Sequence, residues 1–528
     1  MSQQSLVMLD RRKLLKVGAG SVGLTAAARV LPAWARDGAA DPFTQGVASG
    51  DPAPDGFVIW TRLAPQPLAP DGMGGVVGDV PVRWAVAEDE DMRHVVAQGV
   101  ATAGDRFNHS VHIEVGGLQP ARPYWYRFAA MGAQSAIGRS GTAPRPDQPL
   151  DRLRFAFVSC SHWEEGWFTA YRRIAEENPD LIVFLGDYIY EYNNTGARAA
   201  GRPRLHEGPE AMDLPTYRLR YALYRTDPDL QALHASAPAL MTWDDHEVEN
   251  DYADRWSEHP ETPPDAFLKR RAAAYQVFYE NMPLRRASLP RGPDMRVYDR
   301  FRFGRLVEMP ILDGRQYRSM GACPTPTWRG GHVAPPSCAE REDPKRTMLG
   351  FEQERWLFDG FRRSDAQWNI VAQDLLVAAF LQADKDGTIG HWTDAWDGFP
   401  ACRTRVLDAV KGSGLRNPVF VGGDIHSFWT TDLKADFSRP ESETVATEFV
   451  GGSITSDAPP YETFAKFLPQ SPHVKYFESR AHGYVSVDVT PSRMQTSFIA
   501  VDRLQKDAAP STLAQFVVED GKAGAVAA

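Results

Sequence analysis

Apolar positions follow two different patterns along this chain. Between residues 42 and 145, short segments at Gly56–Arg62, Val80–Ala87, His109–Val115 and Tyr124–Ala129 alternate apolar with polar residues, and Pro, Gly and Asp turns separate them. A period of two with frequent turns predicts an antiparallel β-sandwich, and the Pro-rich stretch 143–150 reads as a linker. From residue 151 the apolar residues come in unbroken runs. Leu181–Leu185 is such a run, and a strand without alternation is one covered on both faces. Before it, Leu153–Ser159 reads as a strand, and Gly166–Glu177 sets Phe168, Tyr171, Ile174 and Ala175 on one helical face before Asn178-Pro179. Strand, helix and strand make a βαβ unit.

The same pattern continues. Helical stretches fall at Pro215–His234 and Asp265–Asn281. Further strands are expected at Leu240–Trp243, Val297–Phe303, Arg305–Leu312, Trp368–Ala372, Pro418–Val421, Thr444–Phe449, Tyr484–Val489 and Met494–Val501. The expected layout is an export signal over 1–35, an all-β domain over 36–145 and an α/β domain over 151–528.

Polar residues collect where the α/β strands end. The first run delivers Ser159-Cys160-Ser161-His162, and the second delivers Gly186-Asp187-Tyr188-Ile189-Tyr190. Later runs deliver Asp244-Asp245-His246-Glu247 with Asn250 behind, then Asp313-Gly314-Arg315, then Gly422-Gly423-Asp424-Ile425-His426. Open α/β sheets bind ligands at the carboxyl ends of their strands. Thiol, carboxylate, phenol and imidazole on one edge suit a metal centre.

Each residue has a functional and a structural reading. Asp187 is placed to bridge two cations, or to cap a helix after a βα turn. Tyr190 offers a phenolate to a trivalent metal, or packs as an aromatic. Cys160 offers a thiolate, or fills the core. Asp424 and His426, at i and i+2 of an extended segment, point the same way. Three carboxylates around His246 repel one another unless a cation joins them, so Asp245, with Asn250, is expected to ligate a second metal and His246 to donate to the leaving group. Arg315 presents a fork for two phosphate oxygens or an ion pair, and His162 with Trp163 is expected at the mouth.

Composition narrows the classes. Net charge is -10 over 528 residues, which argues against a general grip on nucleic acid. Arg11-Arg12, a weakly apolar Gly/Ala stretch and Ala33-Trp34-Ala35 read as a twin-arginine signal cut before Arg36. No later segment has the roughly 18 uninterrupted apolar residues that a membrane span needs. Cys323 and Cys338 flank a Pro/Gly-rich loop and are candidates for a disulfide, whereas Cys402 has no evident partner.

These motifs resemble the PhoD-type alkaline phosphatase/phosphodiesterase family, a branch of the metallophosphoesterases. The resemblance rests on GVASGDP (46–52), VIWTRL (58–63), SCSHWEEGWFTAYRRI (159–174), FLGDYIYEY (184–192), WDDHEVENDY (243–252), LDGRQYR (312–318), GGDIH (422–426) and STLAQFVVEDGKAG (511–524). It implies a four-layer αββα core behind an immunoglobulin- or fibronectin-like sandwich, and a C-terminal helix over the site. It also implies ferric iron plus calcium, with zinc or manganese as alternatives. By position Cys160, Asp187, Tyr190, Asp424 and His426 match metal ligands, with Asp245 and Asn250 on the second metal. Gly314 departs from the family's threonine and loosens the loop that carries Arg315.

The expected reaction is hydrolysis of phosphate monoesters and diesters by attack of a metal-bound hydroxide on phosphorus, with His246 assisting the leaving alkoxide. Candidate substrates are small phosphate esters and phospholipid, teichoic or nucleotide diesters. A phospholipase D-like diesterase and a secreted binding protein with structural metals are the rival readings. The twin-arginine machinery is the expected export partner, and the periplasm or exterior the expected location.

Overall fold

The computed structural model describes residues 40–528, so the twin-arginine segment lies outside the described residues. Ten strands form one sheet in the order 526–527, 511–519, 493–500, 483–489, 153–158, 181–185, 239–242, 47–53, 56–62 and 110–115. Seven form a second, in the order 299–303, 307–311, 368–372, 418–422, 444–450, 428–434 and 474–478. In the first, Leu181–Leu185 runs parallel to both Leu153–Val158 and Ala239–Thr242.

The alternation of side chains across a strand builds four layers from this pair. Leu181, Val183 and Leu185 point inward to Val307, Met309, Ile311, Ile370 and Val421 of the opposite sheet. Ile182 and Phe184 point outward to helices Thr169–Glu176, Leu214–Arg225, Pro228–Ser236 and Pro264–Asn281. On the far side Val371, Phe420 and Trp429 meet helices Gly350–Arg363 and Pro400–Ser413. Both faces of each central strand are covered, hence the unbroken apolar runs. This is the αββα arrangement.

Three expectations need correction. The stretch 215–234 is two helices, because Pro228 cannot extend the first and Asp227 caps the second by accepting from the Asp229 and Leu230 backbone nitrogens. The C-terminal stretch is no helix over the site. Ser511–Glu519 is a strand, paired antiparallel with Arg493–Ala500, and its period-two Phe516 and Val518 are buried in the intersheet core. Finally, the N-terminal sandwich is not separate from the core. Its five-stranded layer packs on Val47–Ala53, Gly56–Arg62 and Ser110–Val115, which belong to the ten-stranded sheet through the parallel pairing of Gly50 with Ala239. A Cβ on Gly50 would stand 2.5 Å from the carbonyl oxygen of Pro283, so this junction requires glycine.

Candidate metal centre

Five strand ends bring their loops to one edge. Gly186 leaves the Leu181–Leu185 strand at φ 97°, a conformation that favours glycine, and a Cβ on it would lie 2.4 Å from the backbone nitrogen of Asp244. Asp187, Cys160, Asp424 and His426 also hold left-handed backbone, at φ 53°, 61°, 63° and 52°. Each costs roughly 1–2 kcal/mol outside glycine, and such strain concentrates where function demands it.

Three groups of ligand atoms result, each within 4.8 Å: Cys160, Asp187 and His426; Asp187, Asp245 and His246; and Asp244, Asp245 and Asp424. Asp187 joins the first two and Asp245 the last two. Asp187 Oδ1, Asp245 Oδ1 and Asp244 Oδ2 are buried without a hydrogen-bond partner. An orphaned buried polar atom costs about 1–3 kcal/mol, and more when charged, so these oxygens fit cations.

The surrounding hydrogen bonds orient the donors. Tyr190 Oη donates to Asp187 Oδ2 at 2.8 Å, lies 3.1 Å from His426 Nε2 and accepts from Ser456 Oγ at 2.7 Å. His426 Nδ1 donates to the Asp457 carbonyl at 2.7 Å, which leaves Nε2 free to ligate. Burial pushes its pKa down to about 4, so the ring is neutral. Burial, with Asp187 beside it, raises the Cys160 thiol well above its usual range, so its thiolate requires a neighbouring cation. His246 Nδ1 lies 2.7 Å from Glu191 Oε2. Burial would lower the His246 pKa, but Asp245, Glu191 and Asp187 outweigh it and hold the ring well above its usual range.

Other predicted residues stand elsewhere. Arg315 is fully buried and is no free phosphate fork: Asp244 accepts from its Nε at 2.5 Å, Asp394 accepts from Nη1 at 2.9 Å, and Nη2 lies 2.8 Å from Asp394 Oδ2 as an ion pair without a well-aligned hydrogen bond. His162 is also fully buried, with its ring 4.5 Å from that of Tyr190, so it supports the phenol rather than lining a mouth. Asn250 donates its amide to Glu258 at 2.6 Å, which leaves Oδ1 as the atom it could offer a cation. Glu247 is a backbone staple that accepts from the Asp187, Tyr188 and Asp244 nitrogens at 3.1, 2.6 and 2.9 Å. Cys323 and Cys338 are disulfide-bonded.

Sequence reasoning missed Glu191, Ser456, Asp457 and Asp394. Glu191 sits inside a quoted motif next to Tyr190, and that adjacency is its one readable signal. The others act over long chain separations and leave none.

Comparison with known proteins follows the same lines. Residues 155–498 match a family model described as PhoD-like phosphatase, and residues 26–144 match its N-terminal domain model. Alkaline phosphatase D of Bacillus subtilis is 42% identical over 529 residues, covering 98% of this chain and 88% of that protein. Purple acid phosphatase 23 of Arabidopsis thaliana is 26% identical over 143 residues, 26% of this chain and 30% of that protein. A solved structure described as that of PhoD superposes with a TM-score of 0.87 at 41% identity, covering 93% of each chain.

Proposed function

Because the chain belongs to the PhoD-like phosphatase family and is therefore a phosphoesterase, we propose that its strand-end loops hold ferric iron and calcium and hydrolyse phosphate monoesters and diesters. The observation that carries this reading is the chain of shared carboxylates: Asp187 joins the group of Cys160 and His426 to Asp245, and Asp245 joins that to the all-carboxylate group with Asp244 and Asp424. Cys160, Tyr190 and His426 with Asp187 would hold the iron, since thiolate, phenolate and imidazole suit a transition metal. Asp245, Asn250 and Asp424 would hold calcium, which takes oxygen ligands.

When bound, the cations supply charge neutralisation at phosphorus and acidify water toward neutrality. The protein supplies orientation and the proton. Glu191 fixes His246 through Nδ1, so that Nε2 faces away from Glu191 and holds a proton for the leaving alkoxide. Arg315 offsets the charge of Asp244, Asp245 and Asp394 rather than that of phosphate, which lets acidic groups crowd the site while it remains folded. Export by the twin-arginine route to the periplasm or exterior belongs to the same reading.

Elemental analysis of protein purified without added metal, alongside hydrolysis of p-nitrophenyl and bis-p-nitrophenyl phosphate, tests the proposal. Co-purifying iron, with activity that calcium restores after chelation, is the expected result. Full hydrolysis by protein stripped of both metals would overturn it.

A further inference from the structure

The loop closed by Cys323 and Cys338 has no part in the reaction above, yet it reaches the oxygen-rich half of the centre from two sides. On one side Gly331 N–H donates to Asp251 Oδ2 at 2.7 Å, and Asp251 N–H donates to Asp245 Oδ2 at 2.7 Å. Arg329 N–H donates to the Glu258 carbonyl at 2.8 Å, and the Glu258 carboxylate takes the Asn250 amide at 2.6 Å. On the other side, Val333–Ala334 pairs antiparallel with Ile389–Trp392. His332 N–H donates to Thr393 Oγ1 at 3.1 Å, and Thr393 N–H donates to the His332 carbonyl at 2.9 Å. The next residue is Asp394, which holds Arg315 against Asp244.

The approach is close enough to dictate glycine. A Cβ on Gly330 would lie 2.8 Å from Asp251 Oδ2, and one on Gly331 2.5 Å from the Trp392 ring. Asp251 itself holds left-handed backbone at φ 52°, a conformation that needs surrounding support. Among the described residues, the loop's hydrogen bonds run to none of Cys160, Tyr190 or His426.

We propose that the disulfide-closed loop 323–338 is a positioning segment for the oxygen-ligated cation, acting through Asp251 on Asp245 and through Asp394 and Arg315 on Asp244. It rests on the dinuclear reading above. The cross-link removes most of the loop's freedom before any cation arrives. Binding therefore orders only the ligands, and preorganisation of that kind raises affinity. Cys160, Tyr190 and His426 lie outside its hydrogen bonds, and the bridging Asp187 is reached only through Asp245, so the effect falls chiefly on one cation.

The test uses the iron-loaded full chain, with calcium chloride titrated by calorimetry. In C323S/C338S the calcium Kd is expected to rise by ~10–100-fold, the range for loss of support behind a ligand, with iron content unchanged. Hydrolysis should return at high calcium, so that the calcium requirement rises while saturated turnover holds. D251A, with the disulfide intact, removes the acceptor for the Gly331 N–H and should weaken calcium in the same direction, and it decides the matter if the double variant does not fold. An unchanged calcium Kd in both variants, or loss of iron in step with calcium, overturns the positioning role alone. Wild-type protein that binds no calcium overturns the dinuclear reading and this inference with it.

Discussion

At the residue scale, function rests on carboxylates made dependent on what they face. Asp187 is 1% exposed, with one oxygen bonded to Tyr190 and the other unpartnered. Asp187→Asn is expected to lower bound iron and to cut turnover by ~100-fold or more, beyond the 10–100-fold range of residues one shell out. Elemental analysis with bis-p-nitrophenyl phosphate hydrolysis checks both, and full activity with normal iron would remove the bridging role. Glu191→Gln should keep the metals and lower kcat by ~10–100-fold, more with alkyl than with nitrophenyl leaving groups. Asp187 was legible because a buried strand stops at a Gly-Asp turn. The fate of Arg315 was not, since its partner Asp394 lies in a loop that only folding brings near.

At the element scale, strands covered on both faces were the easiest to read, and Leu181–Leu185 and Trp368–Ala372 have the predicted bounds. Errors arose where local pattern was ambiguous. Ser511–Glu519 pairs with the strand just before it, Arg493–Ala500, but it buries only Phe516 and Val518, too few apolar positions for its period of two to stand out. Ser110–Val115 offers a test of how firmly the N-terminal layer is joined. His112 on that strand donates to the carbonyls of Tyr279 and Met282 at 2.8 and 3.0 Å, and burial holds its pKa at about 4 against an ordinary 6.5. As pH falls below 6.5 the unfolded chain gains a proton that the folded chain refuses. Stability is therefore lost between pH 6.5 and 4, by on the order of 3 kcal/mol from this group. Urea midpoints across that range should fall less steeply in His112→Gln than in wild type, and equal slopes would exclude His112 as the cause.

At the scale of the whole molecule, a sheet edge that gathers Asp187, Asp244, Asp245 and Asp424 carries a standing electrostatic load. Burial, and for Asp244 and Asp424 the carboxylates beside them, raises the pKa of Asp187, Asp244 and Asp424 above the ordinary carboxylate value, so the charged forms are disfavoured without cations. Chelation at neutral pH should lower the melting temperature by roughly 3–5 °C, as expected for loss of a few kcal/mol of ligand stabilisation in a chain of this size. The drop should shrink at pH 5, where protons relieve the repulsion, and a drop independent of pH would point away from these groups. The order of strands in the large sheet has a consequence of another kind. Leu153–Val158, which ends in Cys160, pairs on one side with Leu181–Leu185 and on the other with Gly483–Val489. During synthesis the first neighbour is present almost at once, while the second exists only after Gly483–Val489 has been made. Until then the Cys160 strand has an open, apolar flank that invites pairing with other chains. The nascent polypeptide therefore needs shielding until Gly483–Val489 is made, and ribosome-bound chains that stop short of residue 483 should be sensitive to protease where chains extending well past it are not.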